Sequence, residues 1–114
     1  MLTLGAAVSE ATRRRLPARR ASETFALECA GLAYIATISR FDDGGLGEIF
    51  LTTPKAGSSA GAVASDSAIM CSIALQLGAD ITTLRKALCR DARGNASGPL
   101  GVALDMLAIE DGSP

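Results

Sequence analysis

Histidine is absent from all 114 residues. That removes the side chain that titrates nearest neutral pH, the commonest general base and the commonest metal ligand. Serine–histidine and cysteine–histidine nucleophile pairs are therefore impossible within the chain. Tryptophan is absent too, and the aromatic residues are Phe25, Phe41, Phe50 and Tyr34 alone. The core must be built from Ala, Leu, Ile and Val. The cysteines Cys29, Cys71 and Cys89 are odd in number, widely spaced and form no CxxC pair. A disulfide framework and a zinc knuckle are both excluded in practice, and reduced thiols in a cytoplasmic setting are expected. No apolar run reaches the roughly 20 residues of a membrane span. No basic start leads into a continuous apolar stretch, so neither a secretory signal nor a membrane partner is expected.

What is there describes one domain. Hydrophobic residues make up 48% of the chain and charged residues 20%, a globular balance. The net charge is -1, so nucleic acid is not expected as a partner of the whole chain. The charge is uneven, however. Residues 1–20 carry Arg13, Arg14, Arg15, Arg19 and Arg20 against Glu10 alone. This stretch, interrupted by Pro17, reads as a basic N-terminal arm. Its plainer reading is a solvated tail; its functional one is a strip that lies along an acidic partner or a phosphate backbone.

From Thr24 the chain alternates, with Phe25, Leu27 and Cys29 on one side, which predicts a half-buried strand. Ala30-Gly31 predicts a short turn. A second strand follows, with Leu32, Tyr34, Ala36 and Ile38 on one face. Asp42-Asp43-Gly44-Gly45 predicts a hairpin, and "GEIFLTT" returns as a third strand. One helix is predicted over 60–77, with Gly78 as its C-terminal cap. At 100° per residue Ser65, Ser72 and Gln76 share a polar face beside a stripe of small residues. Asp80 caps a second predicted helix with an apolar stripe of Ile81, Leu84 and Leu88. "LGVALDMLAI" predicts a short third one, and residues 110–114 a frayed tail.

Several groups could carry chemistry. Lys55-Ala56-Gly57-Ser58-Ser59 precedes the long helix but lacks the order of a phosphate loop. It reads either as an anion site built on free backbone N–H groups, or as a helix start capped by Ser58 or Ser59. Asp66 and Asp105 are carboxylates that nothing in the sequence brings together. Cys71 and Cys89 read as small buried hydrophobes, and Cys29 as the most reachable thiol. No catalytic residue and no metal ligand is expected.

The order of these pieces resembles a known family. Gly45-Leu46-Gly47-Glu48-Ile49-Phe50 matches its Gly-x-x-Glu-(Ile/Val)-Phe stretch, Lys55-Ala56-Gly57-Ser58 its Lys-x-Gly turn, and Ser72-Ile73-Ala74-Leu75-Gln76-Leu77-Gly78 its Ser-(Ile/Leu)-Ala-Leu-Gln-x-Gly helix. The chain is similar to the TSCPD domain over roughly residues 13–108, with Pro54 where a glycine often precedes the lysine. The resemblance implies a link to cobalamin-dependent, class II ribonucleotide reductases, which carry such a domain at their C-terminal end. A label carried over from the family would read ribonucleoside-diphosphate reductase. The stretch Pro99-Leu100-Gly101-Val102-Ala103-Leu104-Asp105 keeps an aspartate of the name motif but not its cysteine. A radical-bearing barrel needs far more than 114 residues, so cobalamin would belong to the associated reductase and no cofactor to this chain.

The expected fold is therefore α+β: a three-stranded antiparallel meander packed against two main helices and a short C-terminal helix, spanning 21–109 behind the arm. The expected function is that of a non-catalytic accessory or regulatory module of deoxyribonucleotide synthesis. It would bind the reductase catalytic chain or a nucleotide through Lys55, Gly57, Ser58, Ser59, Arg19 and Arg20. The alternative is a small homodimeric ligand-binding protein or enzyme. Its interface site would then be lined by an exposed row of Ser65, Asp66, Ser72 and Gln76.

Overall fold

The computed structural model describes residues 12–54 and 57–111. Strands β1 (Ser22–Cys29), β2 (Leu32–Arg40) and β3 (Leu46–Thr52) form one antiparallel sheet in the order β1-β2-β3. Helices α1 (Ser59–Gln76), α2 (Ile81–Ala87) and α3 (Pro99–Glu110) follow. This is the α+β meander that the alternation predicts.

Each turn follows from its residues. Cys29 pairs with Leu32, which leaves Ala30 and Gly31 as a two-residue loop at φ 51° and 80°. Positive φ at both positions suits the right-handed twist of the strands. In the next hairpin Phe41 N–H donates to Gly45 O at 2.8 Å, and the Asp43 carboxylate accepts from Gly45 N–H at 2.9 Å.

The alternation decides which face is covered. Leu27, Tyr34, Ala36, Ile38, Ile49 and Leu51 point into the core. Ala64, Ala68, Cys71 and Leu75 of α1 meet them over β3, and Leu100, Ala103, Leu104 and Leu107 of α3 meet them from the β1 side. Ala36, Ala68 and Ala103 are wholly buried, so small side chains lie where helix and sheet approach most closely. Among the described residues no helix covers the opposite sheet face, and there Ile35 and Phe50 are exposed.

Helix lengths differ from expectation in one respect. The middle helix is the short one, at 7 residues, and the C-terminal helix has 12. Leu88 turns to extended backbone at ψ 153°, and the chain then forms a bridge between Arg90 and Ala96. Pro99 opens α3 at a position where its fixed φ fits and its missing N–H costs nothing. Ser58 caps α1, accepting from Gly61 N–H at 3.1 Å, and Asp80 caps α2, accepting from Thr83 N–H at 3.1 Å. Gly78 closes α1 at φ 100°, as predicted. Among the described residues no helix is long and apolar enough to cross a membrane.

Candidate functional site

The site begins at the outer edge of β3. An edge strand leaves alternate N–H and C=O groups without a strand partner. Here α1 supplies the partners. Ser72 Oγ accepts from Ile49 N–H at 2.9 Å and lies 3.0 Å from Ile49 O and 2.9 Å from Ala68 O, either of which can take its proton. Gln76 Nε2 donates to Gly47 O at 2.9 Å. Residues four apart on a helix rise about 6 Å, and residues two apart on a strand about 6.7 Å, so the two pairs stay in step.

This corrects the expected surface row of Ser65, Asp66, Ser72 and Gln76. Ser72 and Gln76 are each 6% exposed, because their polar ends are turned to the strand edge rather than to solvent. Ser65 is half-buried and Asp66 exposed. A shared polar helix face reads the same whether it meets water or a strand's free edge.

Gln76 also anchors the segment before β1. Its Oε1 accepts from Arg13 Nε at 2.6 Å, and its backbone oxygen accepts from Arg14 N–H at 2.7 Å. The Arg14 guanidinium lies 3.9 Å from the Phe41 ring centroid and pairs with Asp43 at 2.9 Å. Leu16 rests against Gly47, where an added Cβ would come within 2.7 Å of Leu16 Cδ2. Arg20 donates to Pro17 O at 2.9 Å and pairs with Glu48 at 3.2 Å. The described part of the basic arm, residues 12–20, is thus tied to the hairpin and the end of α1 through Arg13, Arg14, Leu16 and Arg20, while most of its residues stay exposed to solvent. Residues 1–11 lie outside the described residues.

Docking concentrates positive charge. Arg13, Arg14, Arg15 and Arg20 line a cleft of about 540 Å³ with Glu48 and Gln76. Arg14 and Arg20 have carboxylate partners, whereas Arg13 and Arg15 have none among the described residues. The Arg20–Glu48 pair walls this cleft from a second concavity of about 610 Å³ on the open sheet face, bounded by Arg19, Ser39 and Phe50. Backbone donation from Gly45, and then Arg14, hold the Asp43 carboxyl below its ordinary range.

The other expected residues fall elsewhere. Lys55 lies outside the described residues. Ser58 spends its oxygen on the helix cap, Ser59 opens α1, and Gly57 precedes them at φ 79°. Ser59 and Gln76 stand at opposite ends of α1, about 25 Å apart along its axis. The structure therefore does not bring Ser58 and Ser59 to the docked arginines. Asp105 is held by Arg90 through two bonds, at 2.7 and 2.8 Å, and by Arg85 at 3.0 Å. The Arg90 bonds, with Arg85 behind them, lower its carboxyl below the ordinary value. It fastens α2 and the 88–98 loop to α3.

The thiols also need correction. Cys71 is buried as expected, and desolvation pushes its thiol up to about 11. Cys89 is exposed and Cys29 half-buried, so Cys89 is the more accessible. Helix α2 ends at Ala87, and Leu88 turns to extended backbone, which leaves Cys89 outside the helix and exposed.

Glu48, Ser39 and Phe50 were not among the expected site residues, and Arg13, Arg14 and Arg15 were expected only as members of the basic arm. One signal was present: Ser39, Glu48 and Phe50 occupy the strand positions that alternate away from the core. A family model described as the TSCPD domain matches residues 22–109. No curated protein and no solved structure matches the chain.

Proposed function

The chain belongs to the TSCPD domain family, known from the C-terminal regions of ribonucleotide reductases, and we propose that it is a non-catalytic accessory module of such a reductase that holds a nucleotide by its phosphates. The observation that carries this is the docked arginine cluster. Arg13, Arg14, Arg15 and Arg20 converge on one cleft, with Glu48 the single carboxylate on its lining among the described residues. Guanidinium groups bind phosphate oxygens through paired, charge-assisted hydrogen bonds. A cleft of about 540 Å³ is in the size range of small-molecule sites.

Function here is holding rather than turnover. The chain has no histidine, Asp105 is neutralised by two arginines, and Cys71 is buried with its thiol raised to about 11. Cobalamin and the radical chemistry it supplies belong, in this proposal, to the reductase. Calorimetric titration with nucleoside diphosphates, together with a pull-down of the cobalamin-dependent reductase chain, tests it. Saturable nucleotide binding supports the proposal, and silence in both experiments overturns it.

A further inference from the structure

We propose that the concavity on the open sheet face takes the base of a nucleotide, with Phe50 as its stacking platform, Ser39 at its polar edge and Arg19 toward its phosphates. This rests on the nucleotide-holding function proposed above and gives that ligand its second half.

Ser39 carries the inference. It is 5% exposed and lines a concavity of about 610 Å³. Its hydroxyl has no hydrogen-bond partner among the described residues. Nearly buried hydroxyls ordinarily find one. The comparison is close at hand: one step along the same face, Thr24 and Thr37 hydroxyls bond each other at 3.3 Å, and buried Ser72 is fully engaged with β3. No fully buried side-chain polar atom among the described residues lacks a partner, so the Ser39 hydroxyl is open to the concavity and takes its partner from water or from a ligand seated there.

The walls define the occupant. Phe50 is 46% exposed, although it sits on a strand whose other large side chains, Ile49 and Leu51, are buried. An aromatic ring left open beside hydroxyls suits a flat, polar-edged ring, because every nucleobase offers a face to stack and edges that donate and accept. Arg20 is occupied by Glu48 and Pro17. Arg19 is exposed on the rim of the concavity and has no ion-pair partner among the described residues, so an anionic group entering there would meet its charge without displacing a carboxylate. A ring plus an anionic group, in a space of this size, describes a mononucleotide. A longer nucleic acid is disfavoured by the net charge of -1 and by the confinement of the arginine cluster to residues 13–20.

The test uses the full chain and three probes: adenosine diphosphate, adenosine and inorganic pyrophosphate, titrated calorimetrically. Phe50→Ala and Phe50→Leu should each weaken adenosine diphosphate about ten-fold or more, since neither keeps a ring. Ser39→Ala should weaken both adenosine and adenosine diphosphate and leave pyrophosphate unchanged. Arg19→Ala should weaken the diphosphate and pyrophosphate and spare adenosine. Circular dichroism checks that each variant keeps its fold, and Phe50 lies outside the core in any case. If adenosine diphosphate binds the native chain but responds only to Arg13 and Arg15 substitutions, the base site is overturned while the phosphate cleft stands. Tighter, strongly salt-dependent binding of an oligonucleotide than of adenosine diphosphate also overturns it. If no probe binds and the reductase is not retained, the proposed function itself falls.

Discussion

Gln76 and Gly47 lie far apart in sequence, yet the Gln76 amide donates to the Gly47 carbonyl at 2.9 Å while its other end accepts from Arg13. One side chain therefore joins the end of α1, the outer edge of β3 and the basic segment. Gly47 suits this junction because Leu16 and Phe41 close over it; an added Cβ would meet Leu16 Cδ2 at 2.7 Å and Phe41 Cζ at 2.9 Å. The positions that make the helix match the family are those that saturate a strand edge and anchor the arginines.

Ser72→Ala is expected to destabilise the chain by about 1–3 kcal/mol, because Ile49 N–H loses its acceptor inside the protein. Urea unfolding followed by circular dichroism reads the loss. A midpoint unchanged from the native chain would mean that water or a shifted backbone replaces the hydroxyl.

Gln76→Ala should loosen the arginine segment more than the core. Arg13 loses its acceptor, and that end is left to the backbone bond from Arg14 N–H and the Arg14 contacts with Asp43 and Phe41. A loss of about 1.4 kcal/mol corresponds to roughly ten-fold more opening. Trypsin should therefore cut after Arg13, Arg14 or Arg15 about ten times faster than in the native chain. Equal cleavage rates would show that the segment does not depend on Gln76.

Asp105 gives the chain a pH dependence. Arg90, and behind it Arg85, depress its carboxyl in the folded state below the ordinary value of about 3.9. A depressed carboxyl contributes stability that is fully present above the unfolded value and is lost as pH falls through the folded one. Asp105→Asn should therefore lower the thermal midpoint by a few degrees at pH 7, and the difference should shrink steadily as pH is lowered from 5 toward 2. The pair is partly solvated, which limits its size. A difference that stays constant with pH would assign the effect to packing.

The thiols should separate by accessibility. At pH 8 iodoacetamide is expected to modify Cys89 first and Cys29 more slowly, and to leave Cys71 intact until the chain unfolds. Cys71 is both buried and poorly ionised, with its thiol near 11. Peptide mass mapping over a time course reads the order, and early labelling of Cys71 would contradict the placement of α1.

The strands were legible in the sequence because one face is buried and the other is not: Leu32, Tyr34, Ala36 and Ile38 alternate with residues that face away from the core. The turn at Ala30-Gly31 and the caps at Ser58, Asp80 and Gly78 were legible because few residues satisfy those local geometries. Helix lengths were less so, since Leu88 and Cys89 are apolar enough to continue α2, and the contacts that hold the chain there instead, the Arg90–Ala96 bridge, the Ser97 N–H to Cys89 O bond and the Arg90–Asp105 pair, are not visible locally. The site was legible only in part, as the charge imbalance of residues 1–20 and as the strand positions of Ser39, Glu48 and Phe50 that alternate away from the core. Nothing local says that Gln76 will face Gly47 and Arg13 rather than water, because those contacts span 29 and 63 residues. The same distance hid the separation of the Ser58–Ser59 turn from the arginines, which an 18-residue helix sets.

The most direct test of the whole account is calorimetric titration of a nucleoside diphosphate into the full chain and into an Arg13→Glu, Arg15→Glu double variant, with the recovered nucleotide analysed afterwards. Saturable binding to the native chain, weakened at least ten-fold in the variant, with the nucleotide returned unchanged, is the predicted result. Conversion of the nucleotide, or equal affinity in both proteins, would contradict it.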